Sequence, residues 1–140
     1  MSIKIGINGF GRIGRGICRA VFERNDGKCI ITAINSSQET KYLAYLFKYD
    51  TIHGQFSGTV SYTENSIIVN GQSIHIFATR NPSEIAWKSA GVEYVCECTG
   101  CFTTTETASQ HINHENGAKY VLISAPSKDN TKMYVMGVNH

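Results

Sequence analysis

No apolar run in this sequence is long enough to span a bilayer, and the start, Met1-Ser2-Ile3-Lys4-Ile5, lacks the apolar core of an export signal. The expectation from these absences is a cytoplasmic protein with no membrane partner. An excess of one charge is also missing: 13 basic against 11 acidic residues leave a net charge of +2. A nucleic-acid-binding domain shows a strong basic excess, so nucleic acid is not expected as a partner. There is no linker, no low-complexity tract and no repeat of solenoid period in the 140 residues, a length that suits one domain, 1–140. The five cysteines, an odd number without an export signal, read as reduced thiols rather than a disulfide framework.

What is present is an alternation of strand and helix patterns. Ile3 to Asn8 is short, β-branched and apolar, which predicts a buried strand. Gly9 breaks it. From Gly11 to Arg24 the residues Ile13, Ile17, Ala20 and Val21 recur at helical spacing, and Gly27 supplies the stop. Cys29 to Ile34 predicts a second strand, and Glu39 to Tyr49 a second helix with Leu43, Leu46 and Phe47 on one face. Tyr42, Tyr45 and Phe47 fall at helical spacing and read as core or interface residues.

The middle differs in character. Gly58 to Thr63 and Ser66 to Val69 alternate, Asn70-Gly71 follows, and Ser73 to Ala78 is the return strand. Asn-Gly between two alternating runs is a strong hairpin signal. Pro82-Ser83 opens a helical turn ending near Trp87, with Asn81 as its N-cap. Tyr94 to Cys98 is a further strand. Thr103-Thr104-Thr105-Glu106 fits a capping box for a helix running to Asn116, closed by Gly117. Tyr120 to Ser124 and Met133 to Val138 read as the last two strands. Uniformly apolar strands alternating with helices imply an α/β fold. The expected form is a doubly wound, mostly parallel Rossmann sheet with an inserted β-hairpin.

The motif that carries chemistry is Gly9-Phe10-Gly11-Arg12-Ile13-Gly14. A lone G-x-G-x-x-G is weak evidence, but this one follows a predicted strand and opens a predicted helix, as a dinucleotide fingerprint requires. Gly9 allows the tight turn, Gly11 lets backbone approach a pyrophosphate, and Gly14 lets the helix pack against the strand. Free N–H groups at the helix start then hold the phosphates, and Arg12 adds positive charge. A ligand-free glycine turn is the weaker reading in that context.

The fingerprint also expects an acidic residue at the end of the second strand, about 20 residues on, to hold the ribose. That strand ends Ala33-Ile34-Asn35-Ser36-Ser37 with no carboxylate; the nearest, Glu39, falls in the next helix. Cys96, Cys98 and Cys101 form a C-x-C-x-x-C cluster without the second ligand pair a zinc site needs, so core packing is preferred and no metal is expected. His53, His75, His111, His114 and His140 are scattered outside any nucleophile motif and read as surface or hydrogen-bonded structural residues. No catalytic residue is assigned.

Several long segments resemble the glyceraldehyde-3-phosphate dehydrogenase family. They are Ile5-Gly6-Ile7-Asn8-Gly9-Phe10-Gly11-Arg12-Ile13-Gly14-Arg15, Lys48-Tyr49-Asp50-Thr51-Ile52-His53-Gly54, Cys98-Thr99-Gly100-Cys101-Phe102, Ile123-Ser124-Ala125-Pro126-Ser127-Lys128-Asp129-Asn130 and Val135-Met136-Gly137-Val138-Asn139-His140. The resemblance covers essentially the whole chain in order. It implies roles. The amides of Arg12 and Ile13 would meet the pyrophosphate, with Asn8, Gly9, Phe10, Gly11 and Gly14 forming the loop. Asn35 and Ser36 would stand at the ribose, where most members carry aspartate at the position of Ser36. Arg80 would lie near the adenine. Thr99, Gly100 and Phe102 would run beside the cofactor, and Ser124 would lie near its nicotinamide end.

The cofactor implied is NAD, with NADP admitted because Ser36 replaces the usual acidic residue. The implied activity is phosphorylating oxidation of an aldehyde by a homotetramer. The family's catalytic cysteine lies in a Ser-Cys-Thr-Thr-Asn-Cys segment beyond the position of His140 and is not among these residues. The chain alone is therefore expected to be inactive and, with its partner half missing, to self-associate. The alternative is a free-standing nucleotide-binding or interaction module without chemistry.

Overall fold

A computed structural model describes all residues from Met1 to His140. Its elements in chain order are β1 (Ile3–Asn8), α1 (Arg12–Arg24), β2 (Cys29–Asn35), α2 (Thr40–Lys48), β3 (Tyr49–Asp50), β4 (Gly54–Gln55), β5 (Val60–Tyr62), β6 (Ser66–Val69), β7 (Gln72–Phe77), β8 (Tyr94–Glu97), α3 (Thr105–Ala108) and β9 (Tyr120–Ile123). Single 3₁₀ turns at Pro82–Glu84, Trp87–Ala90 and Ser109–His111 complete the set.

Seven strands form one sheet in the order β5-β6-β7-β2-β1-β8-β9. The run β7-β2-β1-β8-β9 is parallel throughout, and β5 and β6 extend it antiparallel. The chain winds from β1 outward through β2, then returns to start again on the other side of β1 with β8. This is the doubly wound arrangement, and the reversal point lies between β1 and β8, where such sheets open a crevice at their carboxyl ends. The inserted hairpin turns at Asn70 and Gly71, whose φ values of +50° and +81° are those of a type I′ turn.

Both faces of the sheet are covered. On one, α1 and α2 enclose Ile7, Cys18, Ile31, Ile34, Leu43, Phe47 and Ile74. On the other, the 3₁₀ turns bring Ile85 and Trp87 against Ala33, Val92, Val95 and Ala118. Gly6 makes room for the indole: a Cβ there would stand 2.7 Å from Trp87 Cζ3. Arg19 is buried against α2, with its guanidinium donating to the carbonyls of Phe47, Lys48 and Gly54. It closes the carboxyl end of α2 and ties it to the β3–β4 turn, since the last carbonyls of a helix have no partners within it.

Several expectations from the sequence are corrected. Met133–Val138 is not a strand. All six residues are exposed, and Asn139 folds them into a turn, its side chain accepting from Val135 N and donating to Met133 O. Side-chain bonds of this kind compete with a sheet ladder. The helix expected to reach Asn116 ends at Ala108, where Ser109 Oγ bonds back to Thr105 O and a 3₁₀ turn carries His111 under the sheet. Its capping box is formed by Thr104 and Thr107, one residue later than read from the sequence, and Thr103 is buried. The inner face of α1 is Gly14, Cys18 and Arg19, with Ile17 and Val21 half-buried, while Ile13 and Ala20 are exposed. Tyr42 and Tyr45 lie on the outer face of α2, and Glu39 caps that helix from outside it. The short β3–β4 hairpin is an addition to the elements expected from the sequence.

Candidate functional site

The candidate residues gather at the carboxyl ends of adjacent parallel strands: Asn35 at the end of β2 and Ser36 just after it, the glycine loop after β1, Thr99 to Phe102 after β8 and Ser124 after β9. The glycine loop is shaped by three separate steric demands. Gly9 has φ +90°, a conformation L side chains rarely adopt, and abuts Thr99, whose N would stand 3.0 Å from an added Cβ. At Gly14 an added Cβ would meet Gly9 O at 2.1 Å, so only glycine lets α1 sit this close to β1. Gly11 is different. Its backbone is extended (φ −75°, ψ −160°), and nothing lies within 4 Å of where its Cβ would be. That space is open to a ligand.

Gly11 is the N-cap of α1 and offers no side-chain cap. Arg15 N is the first amide of the helix to find a carbonyl, that of Gly11 at 3.0 Å. The amides of Arg12, Ile13 and Gly14 donate to no protein acceptor. No acidic residue stands in the first turn to compete for them. Unpaired amides at the positive end of a helix dipole form an anion site.

Side chains of the loop turn elsewhere. Phe10 is buried and stacks on Phe47, with ring centroids 6.1 Å apart. Ile13 is exposed. Arg12 reaches the β3–β4 turn and pairs with Asp50 at 3.2 Å, so the charge expected at the loop is shared with a carboxylate. Asp50 also accepts from the amides of His53 and Ile52, and these bonds, then Arg12, hold its carboxyl well below the usual range.

Asn8 and Asn35 belong to a buried polar network that runs across the strand ends. Asn35 Nδ2 donates to Thr79 O and to Asn8 Oδ1, both at 2.7 Å, and Asn35 Oδ1 accepts from Thr79 N. Asn8 Nδ2 donates to Glu97 Oε2 at 2.6 Å. His111 Nε2 reaches the same oxygen at 2.7 Å, and Trp87 Nε1 donates to His111 Nδ1 at 3.1 Å. An indole N–H only donates, so His111 Nδ1 is the acceptor and Nε2 carries the proton given to Glu97. Burial pushes the Glu97 carboxyl up, but its bonds from His111, Asn8 and Thr99 outweigh that and leave it below its ordinary value. Glu97, Trp87 and Thr79 are network residues that the sequence did not single out, while His111, expected as a surface or hydrogen-bonded structural residue, is buried and hydrogen-bonded. The readable signal was Glu97, the one charged residue in β8.

The Thr79 link has a second effect. It fastens the segment after β7 to the end of β2, and exposed Arg80 follows Thr79 directly. Ser36 N donates to Phe77 O at 2.9 Å, and its half-buried hydroxyl faces Gln38 N at 3.4 Å. Beyond β8, Gly100 is exposed with φ +76°, and Phe102 stands edge-on to His111. Ser124 is exposed, with its N and Oγ both donating to Glu97 O.

The family model for the glyceraldehyde 3-phosphate dehydrogenase NAD binding domain matches residues 3–105. The chain belongs to that family. Among its relatives, the glyceraldehyde-3-phosphate dehydrogenase of Shimwellia blattae is 51% identical over 139 residues, which is 99% of this chain and 41% of the relative. The corresponding enzymes of Salmonella typhimurium and Escherichia coli K12 are each 50% identical over the same spans. The chain thus spans about two-fifths of the length of the relatives it matches. For this member of the glyceraldehyde 3-phosphate dehydrogenase family, the family span takes in the glycine loop, Ser36, Arg80 and the Thr99–Phe102 segment, and Ser124 lies beyond it.

Thiol chemistry finds no support within these residues. Burial pushes the Cys96 thiol up to about 12 and raises Cys18 and Cys98 as well. None of the five cysteines is hydrogen-bonded to a histidine, and the exposed Cys101 donates to Thr99 O.

Proposed function

We propose that this chain binds NAD across the carboxyl ends of β2, β1, β8 and β9, as the cofactor half of a phosphorylating glyceraldehyde-3-phosphate dehydrogenase. The observation that supports the reading most strongly is the run of unpaired amides on Arg12, Ile13 and Gly14 beside the open face of Gly11. The pyrophosphate lies on those amides. Gly9, Gly14, Asn8 and Phe10 set the loop's shape, while Asn35, Ser36 and Arg80 form the adenosine end. Thr99, Gly100 and Phe102 flank the middle of the cofactor, and Ser124 stands toward the nicotinamide. When bound, the dinucleotide supplies hydride acceptance. This chain's residues bind and orient it.

The ribose end discriminates weakly. Ser36 brings no negative charge to repel a 2′-phosphate, and exposed Arg80 follows Thr79, which is bonded to Asn35 beside Ser36. NAD and NADP affinities therefore lie within about tenfold, or about 1.4 kcal/mol, of each other. The aldehyde chemistry, a homotetrameric assembly and a cytoplasmic setting belong to this reading of the whole protein. These 140 residues alone carry no activated nucleophile and form no NADH. Calorimetric titration of the chain with NAD and with NADP tests the proposal. One-site saturation by NAD is expected. No heat of binding from either dinucleotide overturns it, and a hundredfold preference for NAD overturns the weak discrimination.

A further inference from the structure

Glu97 is the least expected residue of the interior: a carboxylate 1% exposed at the end of a strand otherwise made of Tyr94, Val95 and Cys96. Burying a charge is costly unless it is fully hydrogen-bonded, and here it is. The way its bonds are divided is informative. Oε2 accepts from Asn8 Nδ2 at 2.6 Å, immediately before the glycine loop. Oε1 accepts from Thr99 N at 2.8 Å and Thr99 Oγ1 at 2.5 Å, immediately before Gly100. One side chain therefore grips the roots of both loops that border the crevice. His111 braces the carboxylate at Oε2, the oxygen it shares with Asn8, at 2.7 Å, and Trp87, seated under Gly6, fixes the imidazole. A fold that needed only to satisfy a buried histidine would not require the second oxygen to hold Thr99.

We infer that Glu97 is a positioning residue for the cofactor: a strut, braced by the His111–Trp87 pair, that holds the glycine loop and the Thr99–Gly100 loop at the separation a dinucleotide fits. The inference rests on the dinucleotide reading above. It assigns Glu97 no contact with the ligand. Its chemistry is acceptor-only. Every group around the carboxylate donates, and a carboxylate is the one side-chain end that can accept from all of them at once. A glutamine must turn its NH₂ toward Asn8 and His111 or toward Thr99 N, and either choice releases one loop.

The test is a fluorescence titration of the 140-residue chain with NADH, comparing the wild type with Glu97→Gln, and with Ile67→Ala as a control. Ile67 is buried in β6 at the far end of the sheet, so its truncation lowers stability without touching either loop. Glu97→Gln is expected to weaken NADH binding at least about tenfold at a temperature where circular dichroism shows it folded. Ile67→Ala is expected to lose thermal stability and keep its affinity. Equal affinity in wild type and folded Glu97→Gln overturns the strut while leaving the dinucleotide reading intact. Equal weakening in Ile67→Ala overturns it too, because general loosening then suffices. A wild type that does not bind NADH overturns the underlying reading, and the strut with it. If Glu97→Gln does not fold, the wild type decides. Trp87 is the only tryptophan, and solvent exchange of its Nε1 proton is expected to slow several-fold when NADH saturates the site. An unchanged exchange rate overturns the inference.

Discussion

Replacing Gly11 by valine separates the fold of the glycine loop from its use. The backbone at Gly11 is extended, the region valine prefers, and no heavy atom lies within 4 Å of the new Cβ. The folding cost is therefore that of an ordinary surface change, about 0.5 kcal/mol or less, which moves Tm by only about 2 °C. Binding is another matter. A phosphate oxygen must come within about 2.9 Å of an amide nitrogen to accept its hydrogen bond. The branched side chain fills the open space through which it approaches. Hydrogen bonds to a charged group contribute about 1.5–3 kcal/mol each, so losing two costs about 3–6 kcal/mol, a loss of a hundredfold or more. Gly14→Ala is the internal comparison, with its methyl driven against Gly9 O at 2.1 Å. Overpacking of that kind costs about 1–3 kcal/mol of stability. The assay is calorimetric titration with NAD beside a thermal melt for each variant. Unchanged affinity in Gly11→Val would place the phosphates elsewhere, and a large fall in its Tm would mean the loop is not the open structure described.

Arg19→Met removes the donor that closes α2. Leaving the carbonyls of Phe47, Lys48 and Gly54 without it should cost about 2–4 kcal/mol, seen as a lower urea midpoint at constant m, and a change below about 0.5 kcal/mol would contradict the bracing role. Ser36→Asp restores an acceptor for ribose hydroxyls and a charge against a 2′-phosphate. It should tighten NAD and weaken NADP, and parallel changes in both would remove Ser36 from the ribose end. Exposed Leu122 of β9, whose outer edge has no partner, lines a recess of about 610 Å³ together with exposed Met133, Tyr134 and Val135, and Met136 and Val138 are exposed nearby in the chain. Apolar surface beside a free strand edge favours self-association, so light scattering should show dimers or larger species as concentration rises, and a monomer throughout would count against it. Mixed with glyceraldehyde-3-phosphate, phosphate and NAD, the chain alone should give no absorbance from NADH; steady NADH production would refute the absence of a nucleophile.

The elements legible in the sequence were those with a local cause. Asn70-Gly71 can be read because the turn needs two residues at positive φ, and the glycine loop because each glycine answers a different contact within a few residues. The misreadings share the opposite property. Met133–Val138 has the apolar character of a strand, but a strand also needs a neighbour, and no periodicity states whether one exists. In α1 the apolar spacing of Ile13, Ile17, Ala20 and Val21 was real. The helix is nevertheless turned so that Gly14 and Cys18 meet the sheet, because the tightest approach, at Gly14, decides the orientation.

The buried network marks the same boundary more sharply. Asn8 and Glu97 are 89 residues apart, and Glu97 and His111 are 14 apart on different elements, so no window of sequence joins them. A charge inside an apolar strand was still a legible demand for partners. Following that demand changes how the site is understood. Asn8 and Asn35 turn their amides into the network and Phe10 turns its ring into the core, so what the loop leaves facing the crevice is backbone. A site built from backbone depends on whatever fixes backbone position more than on the side chains that line it. On that reasoning the residues most sensitive to substitution include Glu97 and His111, which lie beneath the loops, and, on the proposed dinucleotide reading, Ser36 is where a side chain retunes the ligand without disturbing the fold.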